Sequence, residues 1–234
     1  MTVLEVEHLS YAYGPVHVLK DVSFKVEKGD FVGITGANGT GKSTLLKLIL
    51  RLLHGSGTIR VMGDEHFKDY SKVGYLSQKV TTFNSDFPAT VDEVVRANLY
   101  PKIGFLRRYS GRKFGAEVDR ALAMVGMTGY KHHLIGELSG GQQQRVFIAR
   151  MLVAEPEILL MDEPTVGIDP KSLAELVELI ERLNKEGMTI LMTSHDLHSL
   201  RGANKILTLE DDGTAFMQDA KGYFAEGADH HGHI

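Results

Sequence analysis

Apolar and polar positions alternate over residues 2–8 and 22–27, the period of strands with one wet face. Residues 31–35 and 158–161 are instead short unbroken apolar runs, which suit parallel strands covered on both faces. Residues 73–77 and 189–192 add further strands, and helical spacing appears over 42–53, 91–99, 116–125, 142–153 and 172–185. Of these, 172–185 is best delimited: Asp169 is placed to cap it, Pro170 suits the first turn, and Gly187 follows the last apolar position. Strands alternating with helices predict an α/β fold with a mostly parallel sheet, and the alternating N-terminal strands add an antiparallel β subdomain. From about residue 81 to residue 154 the strand signal disappears. One domain is therefore expected, with residues 1–80 and 155–225 forming the α/β core around a helical subdomain of about 81–154. Residues 226–234, rich in histidine, are expected to be a loosely ordered tail.

Composition narrows the classes. A chain of 234 residues that is 43% hydrophobic and 24% charged buries one sizeable core. A net charge of -4 gives no overall attraction to nucleic acid, and no such partner is expected. With no cysteine, disulfides and thiolate metal sites are excluded. The N-terminus is acidic, not basic and apolar, and no run approaches the ~18 apolar residues needed to cross a bilayer. The expectation is a chain neither exported nor embedded, which serves a membrane process only by docking to another protein.

Candidate chemistry begins after the buried run 31–35. Gly36-Ala-Asn-Gly-Thr-Gly-Lys-Ser-Thr44 matches GxxxxGK[ST] between a strand and a helix. Gly36, Gly39 and Gly41 allow a tight turn whose N–H groups, including those around Asn38 and Thr40, point at phosphate oxygens. Lys42 supplies charge to the β- and γ-phosphates, Ser43 a hydroxyl for Mg2+, and Thr44 a hydroxyl suited to the α-phosphate. Farther on, an apolar run ends in Asp162 and Glu163. Neighbouring residues of a strand face opposite sides, so the two acids are expected to divide the work. Asp162 would hold Mg2+ through water, and Glu163 would act on the water that attacks the γ-phosphorus. A third motif, Leu138-Ser-Gly-Gly-Gln142, opens a helix, and Ser139 with Gln142 fits a capping box. Capping leaves Gly140 and Gly141 unexplained, since each costs about 1 kcal/mol against alanine in a helix. A phosphate approaching the bare helix start would explain them, and the cradle at 36–44 already encloses its own, so the guest is expected to belong to a second subunit.

In this order the chain resembles the ATP-binding cassette family, a P-loop NTPase fold. The resemblance implies ATP and Mg2+ as cofactors and a head-to-tail homodimer that sandwiches two nucleotides. It also implies roles for single residues: Tyr13, with Tyr11 as the alternative, stacking on adenine; Gln78 touching Mg2+ and the attacking water; His195 contacting the γ-phosphate; and Asp169 ending the dimer-contact loop. The family's usual Ser-Ala-Leu before that aspartate is Val166-Gly-Ile168 in this chain.

A lone cassette looks like the separate ATPase subunit of a prokaryotic importer, on the cytoplasmic face of the cell membrane. Residues 74–79, 87–95 and 163–169 are similar to the zinc and manganese importer branch. Zinc is the expected cargo, with manganese or another small solute as the alternative. The implied partners are a multispanning membrane permease and, indirectly, an extracytoplasmic metal-binding protein. His230, His231 and His233 suit weak zinc binding or a solvated terminus alike, and the basic run 107–113 suits lipid head groups, a partner or plain solvation. A rival class is the cassette ATPase that acts on nucleic acid or ribosomes. Such proteins usually carry a long coiled coil or two cassettes, and neither pattern is present.

Overall fold

The computed structural model describes residues 1–78, 88–99 and 111–230. Two long strands, β1 (Thr2–Tyr13) and β2 (Val16–Glu27), pair antiparallel, and β4 (Ser56–Val61) joins the far side of β1 in a three-stranded sheet. The second sheet runs β5-β6-β7-β3-β8-β9 and comprises β3 (Phe31–Thr35), β5 (Val73–Leu76), β6 (Ile158–Asp162), β7 (Thr189–Thr193), β8 (Lys205–Leu209) and β9 (Ala215–Asp219). All its pairings are parallel except β8 with β9. This matches the expected mostly parallel core with a separate antiparallel sheet.

Residues on the parallel strands alternate between two cores, as their two-residue period requires. Phe31, Leu159, Met161, Ile190, Met192 and Ile206 face one. Val32, Ile34, Leu160, Leu191 and Leu207 face the other. The second core is closed by the antiparallel sheet and by α1 (Lys42–Ile49), which contributes Leu45, Leu46, Leu48 and Ile49. Helices cover the first: α2 (Val91–Arg96), α3 (Gly111–Met124), α4 (Gly140–Leu152) and α5 (Pro170–Lys185). Between Pro88 and Ala154 the described residues hold helices and short turns, with one isolated bridge from Thr90 to Leu134. No helix among the described residues is long and apolar enough to cross a membrane.

Several elements differ from expectation. The first helix stops at Ile49 rather than running to residue 53, because Arg51 takes a left-handed φ of 54° and the Leu52 N–H returns to the Lys47 carbonyl at 2.9 Å. α6 (Ala220–His230) continues into the segment expected to be loose. Its Ala220 N–H donates to the Asn204 carbonyl at 3.0 Å, and Tyr223 and Phe224 pack on the helix-covered core. His231 and His233 lie outside the described residues, as does most of the basic run 107–113.

Candidate active site

Strands β6, β7 and β3 are neighbours and parallel, so their C-terminal ends bring three motifs to one edge of the sheet. The chain leaves β3 through Gly36, whose φ is 146°. A Cβ there would sit 2.7 Å from Thr40 Oγ1 and closer still to the Leu209 carbonyl, so the exit admits only glycine. The Thr40 hydroxyl donates to the Ala37 carbonyl at 3.0 Å and braces the loop. Lys42, 5% exposed, folds its Nζ back to donate to the Gly36 and Ala37 carbonyls at 2.8 and 2.9 Å. Those neutral acceptors are weaker partners for an ammonium than a phosphate oxygen, so the lysine is held ready at the cradle.

Beside the cradle, Asp162 is 4% exposed, and its Oδ1 accepts from the Ser43 and Thr193 hydroxyls, each at 2.9 Å. Glu163 does not continue the strand alternation. It takes a left-handed φ of 48°, a conformation that costs about 1–3 kcal/mol in a residue with a side chain. Its N–H donates to Thr193 Oγ1 at 2.8 Å, and its Oε2 accepts from Gln78 Nε2 at 2.9 Å. Gln78 follows β5, the strand next to β6. Burial, and then the charge of Asp162, push the Tyr75 phenol up to about 12, so this neighbour stays protonated.

A cavity of about 680 Å³ opens over these groups. Asn38, Gly39, Gly41, Lys42, Ser43 and Thr44 line it from the loop and α1. Gln78, Glu163 and the exposed His195 add polar groups, while Tyr13, Val18 and Val166 add apolar surface. Tyr13 is 48% exposed and stands edge-on to Tyr11, with ring centroids 4.9 Å apart. Tyr11 packs instead on the core beneath the antiparallel sheet, which leaves Tyr13 as the ring beside the cavity. Gly36, Thr40 and Asp162 act from behind the lining. The set of a hydroxyl on Ser43, a buried carboxylate on Asp162 and the Gln78–Glu163 pair suits Mg2+, which takes hard oxygen ligands and keeps several waters.

Ser139, Gly140, Gly141, Gln142 and Asp169 lie outside this cavity's lining. Ser139 caps α4 as expected, accepting from the Gln142 N–H at 3.4 Å while its own N–H donates to Gln142 Oε1 at 3.0 Å. Asp169 caps α5, accepting from the Ser172 N–H at 3.1 Å. The Ser172 hydroxyl and N–H hold the Asp169 carboxyl below its usual range. Gly140 is exposed, as a phosphate contact requires. Gly141 is buried, and the space a Cβ would need is filled by Ser172 of the same chain, so packing supplies a reason for this glycine besides the expected phosphate contact. Sequence reasoning also missed Thr193, whose hydroxyl bridges Asp162 and Glu163, and the apolar lining residues Val18 and Val166.

The ABC transporter family model matches residues 19–166. The chain is 50% identical over 199 residues to the zinc uptake system ATP-binding protein ZurA of Listeria innocua, covering 83% of this chain and 77% of the relative. It is 41% identical over 196 residues to the manganese transport system ATP-binding protein MntB of Halalkalibacterium halodurans, covering 83% and 77%. Among solved structures it is similar to the dimeric MJ0796, a bacterial ABC transporter cassette, with a TM-score of 0.76 at 29% identity over 92% of this chain and 98% of that one.

Proposed function

Because the chain belongs to the ABC transporter family, whose ATP-binding cassettes hydrolyse ATP, we propose that it is the ATPase subunit of an importer that carries zinc. The observation that carries the catalytic half is the Ser43–Asp162–Thr193–Glu163–Gln78 chain of hydrogen bonds at the cavity. The zinc half rests on the zinc uptake relatives, and the manganese relative supports a second cargo.

In this reading Lys42 exchanges its loop carbonyls for the β- and γ-phosphates, and the cradle N–H groups and the start of α1 take the remaining charge. The adenine rests on Tyr13 beside Val18. Mg2+, when bound with ATP, offsets the charge of the terminal phosphates; Ser43, Asp162 and Gln78 are the residues that would hold it. Glu163, steered by its left-handed backbone and by Gln78, orients the attacking water and takes its proton. His195 contacts the γ-phosphate. Ser139, Gly140 and the start of α4, outside their own cavity, complete the cavity of a second copy, and Asp169 ends the loop at that contact.

The partners that follow are a second copy, a multispanning permease that receives the motion through the helical region, and indirectly an extracytoplasmic metal-binding protein. The subunit would sit on the cytoplasmic face of the membrane. The test is Glu163→Gln. With Mg-ATP this variant is expected to bind nucleotide as the parent does, to hydrolyse it at least about a hundredfold more slowly, and to accumulate as a dimer in light scattering. Near-parental turnover would refute the assignment. Reconstituted with its permease, the parent should drive uptake of zinc in preference to manganese, and the reverse preference would replace the cargo.

A further inference from the structure

The two glycines of the Ser139–Gln142 motif occupy different surroundings. A Cβ on Gly140 finds only the Gly167 carbonyl oxygen, at 3.8 Å. A Cβ on Gly141 lands 2.8 Å from Ser172 Oγ and closer still to Ser172 Cβ, inside the distance that packed side chains tolerate. Gly141 has no left-handed backbone, so its lack of a side chain answers to this contact and not to φ. Ser172 lies in the first turn of α5, where its N–H donates to the cap residue Asp169. Farther along the same seam, Arg145 of α4 and Glu175 of α5 form an ion pair. At the other end of the 163–169 loop, the Val166 N–H returns to the Glu163 carbonyl at 3.3 Å, and Val166 lines the cavity.

We infer that Gly141 and Ser172 form a keyed seat that fixes the start of α4 against the loop carrying Glu163, and that Ser172 is thereby a positioning residue for hydrolysis at the partner's nucleotide. The inference rests on the head-to-tail reading above. An atom added at the seat must move either the first turn of α4, which presents Ser139 and Gly140, or the first turn of α5, which ends the Glu163 loop. Misplacing a contact group by about 1 Å costs on the order of a hundredfold in rate. The seat also makes the two functions of one chain a single body: the surface offered to the partner's nucleotide cannot shift without pulling on the loop that holds its own Glu163.

The arrangement is reciprocal, so it can be tested by exchange. Removing the Ser172 side chain leaves Ile168 Cγ2, at 3.5 Å, as the nearest atom to a new Cβ at position 141, an ordinary contact. Gly141→Ala is expected to lower ATP turnover by about tenfold or more with nucleotide binding by the isolated chain unchanged, and Gly141→Ala combined with Ser172→Gly to recover most of that loss. Gly140→Ala is expected to lose turnover without rescue by Ser172→Gly, since its neighbour is the incoming nucleotide. A paired variant that melts like the parent yet stays as inactive as Gly141→Ala overturns the seat. Should Gly141→Ala fail to fold, Ser172→Gly must restore folding and hydrolysis together, and a refolded but inactive pair overturns it equally. Failure of the head-to-tail reading shows separately, as a Glu163→Gln chain that does not dimerise with Mg-ATP.

Discussion

Thr193 has one hydroxyl and uses it twice, donating to Asp162 Oδ1 and accepting from the Glu163 N–H, with no solvent exposure. Thr193→Val keeps the shape and removes both bonds, leaving the part-buried Glu163 N–H without this partner, at a cost toward the low end of about 1–3 kcal/mol. The expected outcome is a lower melting temperature in calorimetry and a turnover that falls more than nucleotide affinity does; affinity and turnover falling together would count against a role at the carboxylates. Residues inside a motif were legible because spacing alone specifies them: Lys42, Ser43, Asp162 and Glu163 meet where the pattern puts them. Thr193 was not, since a threonine in an apolar strand reads as an ordinary β-former. Its role depends on the β6–β7 register that sets it opposite Asp162. Gly141 shows the opposite limit: helix energetics flags a glycine out of place, but not which neighbour needs the room.

At the scale of elements, Asp30 ties the start of β3 to β8. Its Oδ2 accepts from the Glu27 N–H at 2.8 Å and from Lys205 Nζ at 2.7 Å, and its Oδ1 accepts from Asn204 Nδ2 at 2.8 Å. Burial alone would raise this carboxyl, but the bonds from Lys205, Asn204 and Glu27 outweigh it and hold the group below the usual aspartate range. A depressed folded-state value stabilises the fold above the unfolded value and is lost as pH falls through the folded one. Asp30→Asn should therefore be less stable than the parent by on the order of 1–3 kcal/mol near neutrality, with the gap closing below about pH 4. Chemical denaturation at several pH values checks this, and a gap independent of pH would refute it. Strongly patterned elements were readable, above all α5 with its aspartate cap and proline. β4, β8 and β9, reading SGTIRV, KILTL and AFMQD, are broken by polar residues and lack the unbroken apolar run that marks β3 and β6. α6 was obscured by Gly222 and Gly227, whose low helix propensity is offset by docking of Tyr223 and Phe224.

For the whole molecule, one chain holds a complete nucleotide cradle and, outside it, the Ser139–Gln142 motif that the proposed dimer needs. Specific ATPase activity should thus rise with protein concentration and level off once pairs predominate, as read from steady-state rates over a dilution series; a flat response from a verified monomer would contradict the shared centre. The sheet between the two cores adds a consequence of its own. Successive residues of β3, β6, β7 and β8 report alternately to the layer under the nucleotide loop and to the layer under the helices. The side a strand residue faces therefore sorts lesions: a defect at Val32, Leu160, Leu191 or Leu207 is expected to starve the machine of grip on its fuel, and one at the adjacent Phe31, Leu159, Ile190 or Ile206 to let it burn fuel while the stroke goes slack.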